Sequence, residues 1–266
     1  MSYRYLPGLP GRAATIGRGT NPRHNVPMST RRASTRRSAT PPANGRILVI
    51  DVGGSHVKFR MGPEGEIRRF ESGPDMSAAV MARKVRQMTK DLPYEAVSIG
   101  YPGPVVRGRI IGEPHNLGSG WVRYDFGKTL ARPVRIVNDA TMQALGSYEG
   151  GRMLFLGLGT GLGTALILDD TVESMEIGHA HFKRGRTFED YLGEQGRKRL
   201  GTKRWRKTVF EVVEQLKGVF EVDYVVLGGG NVKRLKKLPE GARTGDNLNA
   251  FAGGLRLWQR DNAFDV

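Results

Sequence analysis

The chain contains no cysteine. That absence excludes disulfides, thiolate catalysis and cysteine-ligated zinc, and it fits a reducing compartment; a cytoplasmic location is the expectation. No N-terminal stretch has the charged-then-apolar order of a secretory signal. The longest uncharged run, residues 153–168, is 16 residues long, carries four glycines, and stops at Asp169 and Asp170. A membrane span needs roughly 20 predominantly apolar residues, so this run is not read as one. The same run, LGTGLGT at its centre, holds neither a Walker loop nor the dinucleotide-binding glycine fingerprint. The chain shows no short-period repeat.

Acidic residues are also scarce at one end. The first 46 residues hold nine arginines, no lysine and no acid. The chain as a whole carries 42 Lys+Arg against 26 Asp+Glu, a net charge of +16, which leaves +7 for the other 220 residues. Such a balance favours anionic partners. Residues 1–45, with STRRASTRRSATPPANG at their end, have too little apolar content to offset chain entropy. They read as a disordered basic extension, with a polyanion-binding arm or a transit segment as the other readings. The arm lacks the apolar periodicity of a helix-turn-helix, which argues against a nucleic-acid reader.

At Arg46 the composition changes. RILVID is a buried strand leading into two glycines, and residues 57–72 alternate as a hairpin around PEG. Residues 76–90 carry helical apolar spacing. AVSIGYPGPV and PVRIVNDA are further strands, and ATMQALGSYEGG is the helix after the second. MLFLGLG and GTALIL form two strands around a glycine turn. Residues 188–200 and 205–219 read as helices, VDYVVLGGG as a strand, and LNAFAGGLRLWQRD as a closing helix. The order gives two α/β units, residues 46–139 and 140–266, facing one another across a cleft. The closing helix has the option of packing back on the first unit.

Five stretches carry candidate chemistry. In IDVGGSHVK a strand delivers Asp51, and Gly53 and Gly54 let the backbone approach a ligand; Ser55 adds a hydroxyl and Lys58 a cation. Those groups suit a phosphate chain, although a plain hairpin turn reads equally well. The turn at Gly159, Thr160, Gly161 and Gly163 offers backbone amides and the hydroxyls of Thr160 and Thr164. In NDA, Asp139 stands at the end of a strand, where ligands bind in open α/β folds. It suits a general base for phosphoryl transfer, or, more plainly, the cap of the next helix. In MEIGHAH, Glu176 and His179 suit a polyol, while His179 and His181 lack a third metal ligand nearby. Gly228, Gly229, Gly230 and Asn231 form a glycine turn able to lie against a base or a phosphate.

The order of these stretches resembles the ROK family of bacterial sugar kinases, within the actin-like/hexokinase superfamily. DVGGSHVK resembles its first phosphate motif, with Ser55 in place of the usual threonine. YPGPV and PHNLGSGW resemble its sugar-side segment, VNDA its catalytic segment, LGLGTGLGTAL its second phosphate motif, EIGHA its ExGH motif and VVLGGGNVK its adenosine-side motif. The family's zinc loop has no cysteines here, so no structural zinc is expected, and the chain is most similar to the polyphosphate glucokinase branch. The resemblance implies an α/β, two-lobed, ribonuclease H-like fold with a central cleft. It implies a cytoplasmic, homodimeric enzyme phosphorylating glucose or a near relative at O6 from ATP or polyphosphate. It puts the sugar on Asn116, Asn138, Asp139, Glu176 and His179, with Asp139 as base; the family's further sugar-contacting glutamate, beyond the zinc loop, has no matching motif here, and Glu189 is only a candidate for it. The donor falls to the phosphate motifs, with Mg²⁺ near Asp51 through water rather than on direct protein ligands. The alternatives are a non-catalytic sugar sensor or transcriptional regulator of the same family, and a kinase of another hexose such as mannose or an amino sugar.

Overall fold

The structure is a computed structural model that describes residues 46–246 and 248–259. The basic extension expected over residues 1–45, and the last residues of the expected closing helix, lie outside the described residues.

Two five-stranded sheets share one topology. The first is built from β1 (Ile47–Val52), β2 (His56–Met61) and β3 (Arg68–Glu71), then, after helix α1 (Ala78–Met88), from β4 (Ala96–Tyr101). A small hairpin, β5 (Val105–Val106) and β6 (Arg109–Ile110), and helix α2 (Phe126–Leu130) precede its last strand, β7 (Val134–Asn138). Its order is β3-β2-β1-β4-β7, antiparallel across the hairpins and parallel from β1 through β4 to β7. Helix α3 (Asp139–Ser147) leads to β8 (Arg152–Leu158), β9 (Leu162–Leu168) and β10 (Thr171–Met175). After a 3-10 turn (Ile177–His179) come the hairpin β11 (His181–Lys183) and β12 (Arg186–Thr187), and helices α4 (Phe188–Leu192), α5 (Glu194–Leu200) and α6 (Thr202–Phe220). Strand β13 (Tyr224–Gly228), a 3-10 turn (Val232–Arg234), β14 (Ala242–Thr244) and α7 (Asn249–Arg256) complete the described chain. The second sheet runs β10-β9-β8-β13-β14, with β8 antiparallel to β9 and parallel to β13. The uncharged run is thus the β8–β9 hairpin, and no described helix is long and apolar enough to cross a membrane.

Strand periodicity distributes the core. Leu48, Ile50 and Val52 of β1 face α1 and the fully buried Trp121, while Ile47 and Val49 face α3 and α7. In β8, Met153 and Phe155 face that same middle layer, and Leu154, Leu156 and Leu158 face α6. Both sheets are covered on both faces, which is why their parallel strands read as continuous apolar runs. The middle layer depends on two glycines. A Cβ at Gly146 of α3 would overlap the Asn249 carbonyl oxygen, and one at Gly253 of α7 would overlap that of Met142. The α7 segment is held on the first sheet by Ser98, whose hydroxyl donates to the Gly254 carbonyl (2.6 Å) and accepts from Trp258 Nε1 (2.9 Å).

The helix expected over residues 188–200 is two helices. Gly193 is extended (φ −69°, ψ 175°) and lies against the Thr160 carbonyl, so the chain turns there to follow the β8–β9 turn. A capping box of Thr187 and Asp190 starts α4.

Candidate active site

The carboxyl ends of β1, β4, β7, β8 and β13 meet around two adjoining cavities, the position expected of a ligand in an open α/β sheet. One, of 450 Å³, takes in Asn116, Asn138, Asp139, Glu176, His179 and Glu189. The other, of 560 Å³, takes in Asp51, Gly53, Ser55, Lys58, Gly230 and Asn231. Gly159 and Thr160 border both. The structure therefore brings the sequence-derived sugar residues together in one cavity, and most of the phosphate residues together in the next. Gly54, Gly161, Gly163 and Gly229 fall on the first cavity instead. Gly228 lines neither; it is buried within β13, where a Cβ would overlap the Phe155 ring.

Asp139 is the first residue of α3, but it is not the cap that local reading favoured. Asn138 is. Its Oδ1 accepts from the amides of Ala140 (2.9 Å) and Thr141 (3.2 Å), and its Nδ2 donates to the Gly103 carbonyl (3.1 Å). The side chain expected to hold sugar is thus largely committed to the cap, with one amide hydrogen left for the cavity. Because Asn138 satisfies the helix end, Asp139 commits only Oδ1, to the Ala140 amide at 2.8 Å. Burial, the neighbouring negative charge of Asp51, and that of Glu176 raise the Asp139 carboxyl to about 7, against the pull of the Ala140 amide. Burial also raises Asp51, partly offset by Lys58, which stands directly opposite it in the β1–β2 register. The electrostatic coupling of Asp51 and Asp139 ties the two cavities together.

Glu176 and His179 stand on the open side, half-exposed, with Glu176 Oε2 3.7 Å from His179 Nδ1. Burial raises the Glu176 carboxyl, Glu189 adds to the shift, and His179 and His115 oppose it. Gly178 between them packs on the β8–β9 turn, where a Cβ would sit 2.8 Å from the Leu162 carbonyl. Glu189 accepts a hydrogen bond from the Leu162 amide (2.9 Å), so its carboxylate reaches the cavity wall from α4. On the facing wall, Asn116 lies in a loop held by Glu113, which accepts from the amides of Trp121 (3.1 Å) and Val122 (3.1 Å). Trp121 anchors that loop, donating Nε1 to the Gly118 carbonyl at 2.7 Å.

The two hairpin turns are polarised alike. At the second, the Gly159 carbonyl accepts from Glu194 N (3.1 Å) and Asn231 Nδ2 (3.1 Å), and the Thr160 carbonyl also accepts from Glu194 N. At the first, Ser72 donates its hydroxyl to the Gly53 carbonyl (2.6 Å) and its amide to the Ser55 carbonyl (3.0 Å). The amides of Gly54, Ser55, Thr160 and Gly161 have no acceptor among the described residues. Carbonyls engaged and amides free make an anion-receptive surface. Positive φ is not what these glycines supply: of the sequence-derived set, only Gly229 has it (φ 82°). At Gly159 and Gly230 a Cβ would meet nothing, so the fold itself does not require glycine there. Thr164 contributes nothing to the surface, since its buried hydroxyl donates to the Met175 carbonyl (2.6 Å).

Sequence reading missed several residues. His115 and Glu113, beside Asn116, and Gln143, one turn beyond Asp139 on α3, line the first cavity; Glu194, Arg197, Lys233 and Arg234 line the second. Arg197 and Glu194 form a bidentate pair (2.9 and 2.7 Å). His115 adjoins a singled-out residue and was within reach; Arg197 carried no signal beyond an ordinary helix charge.

Among the described residues, no group of three or more carboxylates and imidazoles is placed to hold a metal ion. Of the two carboxylates that line the second cavity, Glu194 is paired with Arg197 and Lys198, which leaves Asp51, an arrangement that suits a hard cation keeping most of its water.

A model described as the ROK family matches residues 47–190. Comparison with curated proteins gives no match. The inorganic polyphosphate/ATP-glucomannokinase from Arthrobacter sp. strain KM superposes with a TM-score of 0.69 at 22% identity, covering 82% of this chain and 98% of that one. A ROK family glucokinase from Streptomyces griseus, in complex with glucose and AMPPNP, gives 0.62 at 15%, covering 79% and 99%. ROK hexokinase from Thermus thermophilus gives 0.59 at 18%, covering 80% and 96%. The fold is the actin-like/hexokinase architecture these proteins share.

Proposed function

The chain belongs to the ROK family, and we propose that it is a sugar kinase, transferring a phosphoryl group from ATP or inorganic polyphosphate to the 6-hydroxyl of glucose or a close relative such as mannose. One observation carries the reading. A carboxylate whose affinity for a proton is matched to neutral pH, Asp139, lines a sugar-sized cavity and is coupled to Asp51 in the adjoining, amide- and cation-lined cavity. A general base works best with a pKa near the operating pH.

In this reading the hexose lies against Asn116, Glu176, His179 and Glu189, with the remaining Asn138 amide hydrogen toward it. Its 6-hydroxyl meets Asp139, which accepts the proton as the bond to phosphorus forms. The free amides of Gly54, Ser55, Thr160 and Gly161, with Lys58, hold the donor phosphates. Positioning and charge stabilisation are what phosphoryl transfer demands of a protein. Asp51 would hold hydrated Mg²⁺, which when bound offsets the donor's charge. Surrounding the reaction with two walls of the cleft keeps water from competing for the phosphoryl group.

The test is initial-rate phosphorylation of glucose and mannose with ATP and with polyphosphate, for the wild type and Asp139→Asn. Turnover lost in the variant, with sugar binding retained, supports the reading. Sugar binding without turnover from any donor in the wild type supports a sensor instead.

A further inference from the structure

The second cavity has an unusual wall for a nucleotide site. Its charged side chains are Asp51, Lys58, Glu194, Arg197, Lys233 and Arg234, joined by His56; the rest of the lining is Gly, Ser, Thr and Asn. Apart from the His56 imidazole, no aromatic side chain borders it, and no aliphatic one does. A purine is ordinarily held by apolar or aromatic surface on its ring faces, with a few polar groups at its edge. Here the nearby apolar residues Val232 and Leu235 are instead packed against the α6 core. The cavity offers much to phosphate and little apolar surface to a base.

The charge does not stop at the cavity mouth. Residues 197–207, RKRLGTKRWRK, carry seven cations and no acid, and residues 233–237, KRLKK, carry four. The two segments touch, since Arg206 Nε donates to the Arg234 carbonyl at 2.5 Å. Glu194 pairs with Arg197 and Lys198. Lys203, Arg204, Lys207, Lys236 and Lys237 are exposed, and no described carboxylate lies within ion-pair distance of them. Like charges this dense repel one another unless an anion runs between them. Three phosphates would engage the cavity alone; a long anionic chain would engage the cavity and the ridge outside it.

We propose that the phosphoryl donor is linear inorganic polyphosphate, with its terminal phosphate between the two hairpin turns and the following units laid along the basic ridge of α5, the start of α6 and residues 233–237. This rests on the kinase reading above and narrows its donor. In the transfer, the sugar O6 forms a bond to the terminal phosphorus as the bridging P–O bond breaks. The shortened chain leaves with that bridging oxygen and its electron pair, and the O6 proton passes to Asp139.

The experiment uses the full chain with Mg²⁺ and saturating glucose, and compares ATP, tripolyphosphate and long-chain polyphosphate. The expected result is that KM falls several-fold from tripolyphosphate to the long chain, and that ATP is the poorest of the three. Added salt should raise KM more steeply for the long chain, because more counterions are displaced along it. The double variant Lys236→Glu, Lys237→Glu should shrink the advantage of the long chain over tripolyphosphate; circular dichroism checks that it is folded, and the wild-type salt series tests the ridge independently. ATP preferred to every polyphosphate would overturn the inference and leave the kinase reading standing, as would polyphosphate use that ignores chain length. Failure of all three donors with glucose and with mannose would overturn both.

Discussion

Asn138 caps the helix on which Asp139 is the first residue, and its second amide function ties that helix end to Gly103, just beyond the neighbouring strand β4. The cap both stabilises α3 and leaves the adjacent carboxylate available. Asn138→Ala should lower stability by about 1 kcal/mol, the usual worth of an N-cap, seen as an earlier denaturant midpoint. It should also lower kcat, because Asp139 loses its fixed placement. Asn138→Asp keeps the cap acceptor but not the Gly103 bond, so it should recover most of the stability and less of the rate. Equal loss of both in the two variants would contradict this division of roles.

The pH dependence of turnover follows from Asp139. Its carboxyl is raised to about 7, and a general base must be unprotonated, so kcat should climb through neutrality and fall by about tenfold per pH unit on the acid side. The measurement is a pH–rate profile at saturating sugar and donor. A profile flat from weakly acidic to weakly alkaline pH would remove Asp139 from the rate-limiting step. Asp139→Asn should reduce turnover by roughly 10²–10⁴ with little effect on sugar affinity.

The same shift has a stability consequence of opposite sign. In the unfolded chain this carboxyl titrates near 3.8, and in the native chain near 7. Between those values the native state binds more protons, so stability contributed at this position falls as pH rises. Asp139→Asn removes a buried charge and should melt at a higher temperature than the wild type above pH 7, with the difference vanishing toward pH 4. A variant that melts lower at alkaline pH would show that the charge is compensated in a way the geometry does not reveal.

Two glycines should respond differently to alanine. Gly159 has ordinary φ and open space beyond it, so Gly159→Ala should leave stability unchanged or raise it by about 0.4–1 kcal/mol, while raising the donor KM several-fold. Gly253 faces the Met142 carbonyl where α7 crosses α3, so Gly253→Ala should cost about 1–3 kcal/mol or more by overpacking. Thermal melts beside donor kinetics separate the two effects. A Gly159→Ala enzyme with unchanged donor KM would place the phosphates elsewhere.

Much of this molecule is set by local sequence. Period-2 and continuous apolar runs are enough to identify β1, β4, β8 and β13, because a strand covered on both faces must be apolar throughout. The catalytic-type stretches stand at strand ends, and the chain's geometry places strand ends at the cleft; Asp51, Asp139 and the glycine turns are legible for that reason. What tertiary structure decided is how neighbouring groups are employed. Asn138 and Asp139 are adjacent and chemically alike, and only the start of α3 determines that one is committed to the cap and the other is left in the cavity with a raised pKa. Gly193 breaks an otherwise continuous helical pattern because the turn at Thr160, 33 residues earlier in the chain, occupies the space beside it. Likewise the cations of residues 197–207 and 233–237 are separate charge runs in the sequence; they become one ridge, opening on one cavity, only because α6 and the segment after β13 pack together. Hydrophobic pattern specifies elements through short-range periodicity. Proton affinity, steric exclusion and summed charge depend on distances between residues far apart in the chain, and those exist only once it is folded.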